Sequence, residues 1–139
     1  MLVVDASVTL AWCFRTEVVP FTAALLERVG REGMLVPAHW LLEVTNVVGL
    51  RERQGRLTAA DRARFFTLLT DLRATRRIGI EALDERVVFG RMWDLSQRYG
   101  LTSYDAAYLE LARRRGLELA TLDGALIEAA SHEDVPLAT

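Results

Sequence analysis

The chain has 139 residues, 51% of them apolar and 26% charged, with a net charge of −2. That balance suits a single domain, 1–139, with one two-sided core, and no apolar run approaches the ~20 residues of a membrane span, so no membrane partner is expected. The lone Cys13 excludes an internal disulfide and any zinc-ligand spacing, and no basic and apolar leader opens the chain, which together predict a cytoplasmic location.

Leu2-Val3-Val4 is an apolar run with no wet face, so it predicts a buried central strand of a parallel sheet. Asp5 follows at once and lies at the carboxyl edge, where such sheets bind ligands. Ser7 to Phe14 reads as a short helix and Val18 to Gly30 as a second, with Pro20 tolerated in its first turn. Met34-Leu35-Val36-Pro37 is a second strand. Ala38 to Arg53 repeats Trp40, Leu41, Val44, Val47 and Val48 at helical spacing. Thr58 to Arg73 is a helix capped by Thr58 with Asp61 three residues on, and it turns Phe65 and Phe66 to the core. Arg77 to Ile80 is a weak strand, and Asp84 to Tyr99 a helix with Val87, Val88, Met92, Trp93 and Leu95 on its inner side. Thr102 opens a helix that runs to Arg115 and stops at Gly116. Leu117 to Leu122 is a strand, Gly124 to Ala130 a short helix, and Val135 to Leu137 a last strand. Helices alternating with short apolar strands predict an α/β fold: a central, mostly parallel sheet with helices on both faces.

Charge is unevenly spread. From Arg51 to Arg77 there are eight arginines against three acids, a surplus of +5, which leaves −7 for the rest. All seventeen basic residues are arginine, whose fork matches phosphate or carboxylate bidentately; a genome that favours arginine codons would give the same composition.

Four acids fall at or near the predicted carboxyl edge: Asp5, Glu43, Asp105 and Asp123. Asp5 and Asp123 could simply cap the helices that follow them, and Asp105 could be the capping-box partner of Thr102. Glu43 is different. At 100° per residue it lies about 40° from Val47, 60° from Trp40 and 20° from Leu50, on the apolar side of its helix. A carboxylate there must be paired, protonated or bound to a cation. Taken together, clustered carboxylates at ~5 Å repel by roughly 3 kcal/mol per pair at an effective dielectric near 20, so a cation should sit among them. Hard oxygen donors without His or Cys select Mg²⁺ or Mn²⁺. An acidic cluster lacking a nucleophilic Ser, Cys or His favours metal-assisted phosphodiester hydrolysis. Ser7 and Thr121 are candidates for orienting a carboxylate or water, or for local backbone hydrogen bonds.

The segments Val3-Val4-Asp5-Ala6-Ser7-Val8, Leu101-Thr102-Ser103-Tyr104-Asp105-Ala106-Ala107-Tyr108-Leu109 and Leu119-Ala120-Thr121-Leu122-Asp123, with the inward Glu43 between, closely resemble the PIN-domain family, in particular the VapC-type toxins of toxin–antitoxin pairs. The resemblance spans essentially the whole chain. It implies a three-layer α/β/α domain acting as a Mg²⁺- or Mn²⁺-dependent endoribonuclease that a VapB-like antitoxin holds inactive. It also implies that Asp5, Glu43, Asp105 and Asp123 form the acidic quartet, that Ser7 and Thr121 match its accessory hydroxyls, and that the protein is a homodimer. The arginine-rich segment, with Arg51, Arg53 and Arg56 at its start, is then a track for RNA or part of a groove for the antitoxin; a solvated helix face is the alternative.

Two other functions compete. One is a catalytically silent PIN-like binding module; the other is an aspartyl-phosphate phosphotransferase built on Asp5, although position 7 is Ser where such sites place another acid. His39 and His132 are poor metal ligands because neither has a second His nearby. Trp12, Trp40 and Trp93 are expected to pack in the core. Leu41, Leu42 and Val48 could form an apolar dimer patch.

Overall fold

Leu2, Val3 and Val4 have no exposed surface and form β1 (Leu2–Val4), as an apolar run without a polar face must. The structure is a computed structural model that describes residues 1–14 and 19–139. β1 lies between β2 (Met34–Pro37) and β4 (Leu119–Ala120), and β3 (Ile78–Glu81) adds at the far side of β2, giving the order β3-β2-β1-β4 with every pair parallel. Leu2 stands opposite Met34, Val3 opposite Leu35 and Leu119, and Val4 opposite Ala120. The predicted strand from Leu117 to Leu122 is cut to two residues. Its predecessor Gly116 is left-handed, and Thr121 turns out of the ladder to meet Asp5. Val135 to Leu137 contributes a single parallel bridge, Leu119 to Leu137, rather than a strand.

Two helix groups cover the sheet. α1 (Ala6–Cys13) packs against α2 (Pro20–Glu32), α3 (Trp40–Arg53) and α4 (Ala59–Ala74). Its anchor is Thr9, fully buried, whose hydroxyl donates to the Asp5 carbonyl (3.0 Å) and accepts from the Trp40 indole (3.1 Å). α7 (Ser103–Arg115) packs on β1, β2 and β4 and against α6 (Trp93–Tyr99) and α8 (Gly124–His132). Ala106 through Ala112 are all buried, and the alanines among them let the helix approach the sheet closely. Right-handed crossovers place connections running in opposite directions along the sheet on opposite faces, which produces the three layers. The expected start of α2 at Val18 lies outside the described residues.

The helix expected from Asp84 to Tyr99 is interrupted. After the single turn of α5 (Glu85–Val87), the helix kinks within Val88–Met92, where Gly90 is non-helical (φ −108°, ψ −106°). The kink resets the helical phase of the residues after it. Met92 and Leu95 stay buried, while Trp93, expected in the core, is 57% exposed. Val48 is likewise fully buried, so it cannot join the exposed Leu41 and Leu42 in a surface patch. Among the described residues, no helix is long and apolar enough to cross a membrane.

Candidate active site

Successive strands β1, β2 and β3 run outward to one side, and β4 then adds on the other side of β1. The order reverses between β1 and β4, the position at which open α/β sheets bind ligands beyond the carboxyl ends of their strands. Asp5 leaves β1 there, and the Thr121–Asp123 turn leaves β4.

Asp5 caps α1 and is 3% exposed. Its Oδ1 accepts from the Ser7 hydroxyl (2.6 Å) and the Val8 amide (3.2 Å), and its Oδ2 from the Thr121 hydroxyl (2.6 Å). Both hydroxyls also reach the backbone after β4. Ser7 accepts from the Leu122 amide (2.9 Å) and Thr121 from the Asp123 amide (3.0 Å), so β1 and β4 are strapped together through one carboxylate. The two candidates for positioning hydroxyls thus act on a carboxylate and on backbone at once. Burial pushes the Asp5 carboxyl up, and Asp105 adds to this, against the three hydrogen bonds.

Glu43 stands in the first turn of α3, Asp105 in the first turn of α7 behind its Thr102 cap, and Asp123 at the cap of α8, where its Oδ1 accepts from Leu126 (2.9 Å). The caps weighed for Asp5 and Asp123 are therefore real, and they coexist with convergence. Burial raises the Glu43 carboxyl, and Asp105 and Asp5 raise it further; burial and then Asp123 raise Asp105. These repulsions link all four acids in one field. The positive ends of four helices, α1, α3, α7 and α8, face it and offset part of the crowding.

Glu43 is less enclosed than its helical phase predicts, with its side chain 30% exposed. Its partner is Tyr108, fully buried, whose hydroxyl donates to Oε1 at 2.7 Å. Burial and then the Glu43 charge push the Tyr108 hydroxyl far above its ordinary value, so it is a permanent donor. Sequence reasoning assigned Tyr108 no role; the signal was its place three residues after Asp105 on the same face of α7. His39 is the second such residue. Its ring meets Tyr108 edge-on at 5.1 Å, and its buried Nε2, without a hydrogen-bond partner, lies 3.7 Å from Glu43 Oε1. Burial lowers the His39 pKa, against a backbone hydrogen bond at Tyr104.

The arginine-rich segment is largely consumed by the fold. Arg51 lies over the Phe14 ring at 4.1 Å, Arg62 pairs with Glu52 (2.6 Å), Arg64 with Asp61, and Arg73 donates to the Ile78 carbonyl (2.8 Å). Arg53 and Arg56 are exposed, and Arg53 lines a cleft beside Glu43 with Leu42, Asn46 and Tyr104.

Among the described residues, no three His, Cys, Asp or Glu side chains lie close enough to hold a metal ion unaided. The donor set still suits a hard cation, because Mg²⁺ is commonly held by one or two carboxylates with water and substrate oxygens completing its shell.

The sequence pattern of the PIN domain matches residues 2–131. Ribonuclease VapC3 of Mycobacterium tuberculosis strain ATCC 25618 / H37Rv is 34% identical over 128 residues, 92% of this chain and 86% of its own length, and ribonuclease VapC3 of strain CDC 1551 / Oshkosh matches to the same extent. Among solved structures, PAE2754 from Pyrobaculum aerophilum shares the fold with a TM-score of 0.65 at 22% identity, over 92% of this chain and 83% of that one. A match of that extent, on a parallel sheet with helices around it, makes this chain a member of the PIN domain family.

Proposed function

We propose that this protein is a divalent-metal-dependent endoribonuclease, the toxin of a toxin–antitoxin pair, which hydrolyses RNA phosphodiester bonds at Asp5, Glu43, Asp105 and Asp123. The reading is supported by the mutual repulsion of these carboxylates, Asp105 raising Asp5 and Glu43, and Asp123 raising Asp105, a concentration of negative charge that calls for a cation. The likeness to ribonucleases named VapC3 supplies the substrate class. Mg²⁺ or Mn²⁺ held there would lower the pKa of a bound water and neutralise charge on the scissile phosphate. The chain's own part is to fix the carboxylates. Ser7 and Thr121 clamp Asp5, and Tyr108 orients Glu43. Its partners in this reading are RNA, a VapB-like antitoxin and a second copy of the chain, in the cytoplasm.

The test is RNA cleavage and growth inhibition by purified, folded Asp5→Ala and Asp105→Ala proteins, both expected to be lost. Cleavage at the wild-type rate by Asp5→Ala would refute the assignment. Mg²⁺ or Mn²⁺ is expected to raise the wild-type melting midpoint over that in chelator, since metal binds the folded site and not the unfolded chain.

A further inference from the structure

A cleft runs from the acidic site along α3, past Leu42 and Asn46 to Arg53, with Tyr104 on its other wall. Ten residues of helix separate Glu43 from Arg53, about 15 Å, the length of roughly four stacked nucleotides at ~3.4 Å each. The Tyr104 ring is 60% exposed and leans on His39 at 5.5 Å, so it is held at an angle while most of its surface stays wet. Leu42, 75% exposed, gives the cleft an apolar rim. The side chains of Asn46 and Arg53 make no hydrogen bond or ion pair among the described residues, unlike Arg62 and Arg64 farther along, which are paired with acids.

We propose that this cleft seats the single-stranded RNA on one side of the scissile phosphate, with a base stacked on Tyr104, a base edge at the Asn46 amide and a backbone phosphate at Arg53. The proposal rests on the ribonuclease reading and assigns its substrate a path. An exposed ring, an amide that both donates and accepts, and an uncommitted guanidinium match the π-face, edge and phosphate of unpaired nucleotides. A protein segment fits less well. It would have to cover Asn46 and Arg53, and unless it supplied matching polar partners, both would lose their water without return.

The test is fluorescence anisotropy with a labelled short single-stranded RNA in Mg²⁺, every protein carrying Asp105→Asn to stop cleavage. Tyr104→Ala is expected to weaken binding at least about fivefold and Tyr104→Trp to retain it, since any aromatic face can stack. Arg53→Gln is expected to flatten the slope of log affinity against log salt by about 0.7, the share of one phosphate contact on a single strand. A merely structural role would not move that slope. Unchanged affinity and slope in these variants overturns the proposal and leaves the cleft to a protein partner, and absence of RNA binding in the parent overturns it outright. If those losses are seen while the protein with Asp105 intact cuts no RNA, the path stands and the ribonuclease reading fails.

Discussion

Replacing Thr121 with valine changes one atom group in a buried place where a single hydroxyl serves the Asp5 carboxylate and the Asp123 backbone amide. Thr121 is 5% exposed, donates to Asp5 Oδ2 at 2.6 Å and accepts from the Asp123 amide at 3.0 Å. Valine matches its shape, so little cavity is created and the cost isolates the hydrogen bonds. A hydrogen bond to a charged group is worth about 1.5–3 kcal/mol, and the lost amide contact adds about 0.5. With a urea m-value of ~2 kcal/mol/M, a loss of about 2–3.5 kcal/mol lowers the denaturation midpoint by roughly 1–2 M. The loss depends on pH with a defined sign. The Thr121 hydroxyl holds the Asp5 carboxyl down against burial, so its removal penalises ionised Asp5 above all. The deficit should be full above the raised Asp5 pKa, where the carboxyl is ionised, and shrink as falling pH protonates it. Urea titrations of wild type, Thr121→Val and Thr121→Ser in chelator, from alkaline to acid pH, measure it. Serine keeps the hydroxyl and should recover most of the loss. A deficit equal in serine and valine, or the same at every pH, would refute the reasoning.

Asp105→Asn should abolish cleavage and yet stabilise the chelated protein at neutral pH by on the order of 0.5–1 kcal/mol, the size of a partly screened charge pair. The Asp105 carboxyl is raised by burial and by Asp123, so in wild type its contribution is present below the ordinary Asp range and lost as pH rises through the raised value; the two melting curves should converge in acid. Gly33 holds φ 83° and ψ 167°, and a Cβ there would stand 3.3 Å from the Arg77 carbonyl oxygen, so Gly33→Ala should cost about 1–3 kcal/mol in thermal or urea melts. Gly30, inside α2 with open space around it, should gain about 0.5–1 kcal/mol on the same change, and equal effects at both glycines would contradict the backbone argument.

Much of the fold was written locally. Leu2-Val3-Val4 could only be an interior strand because none of its residues tolerates water, and Thr58, Thr102, Gly100 and Gly116 mark helix ends by chemistry that acts over three or four residues. Periodicity fails where the winding itself changes. Gly90 kinks the helix, and Trp93, in phase with an unbroken helix, is carried to the surface. The arginine-rich segment misleads for a related reason. Composition counts charges, but whether Arg51 and Arg62 face solvent or lie on Phe14 and Glu52 depends on which elements meet.

The acidic site divides along the same line. By themselves the residues determined that Asp5 leaves a buried strand at a sheet edge and that Glu43 occupies the apolar side of a helix, because strand burial and helical phase are properties of a few neighbouring side chains. Only the tertiary structure decided that Thr121 clamps a carboxylate 116 positions away, that Tyr108 holds Glu43, and that β4 lies beside β1. Those contacts follow from strand order and from the meeting of α3 and α7 at the sheet edge, and no local spacing encodes either.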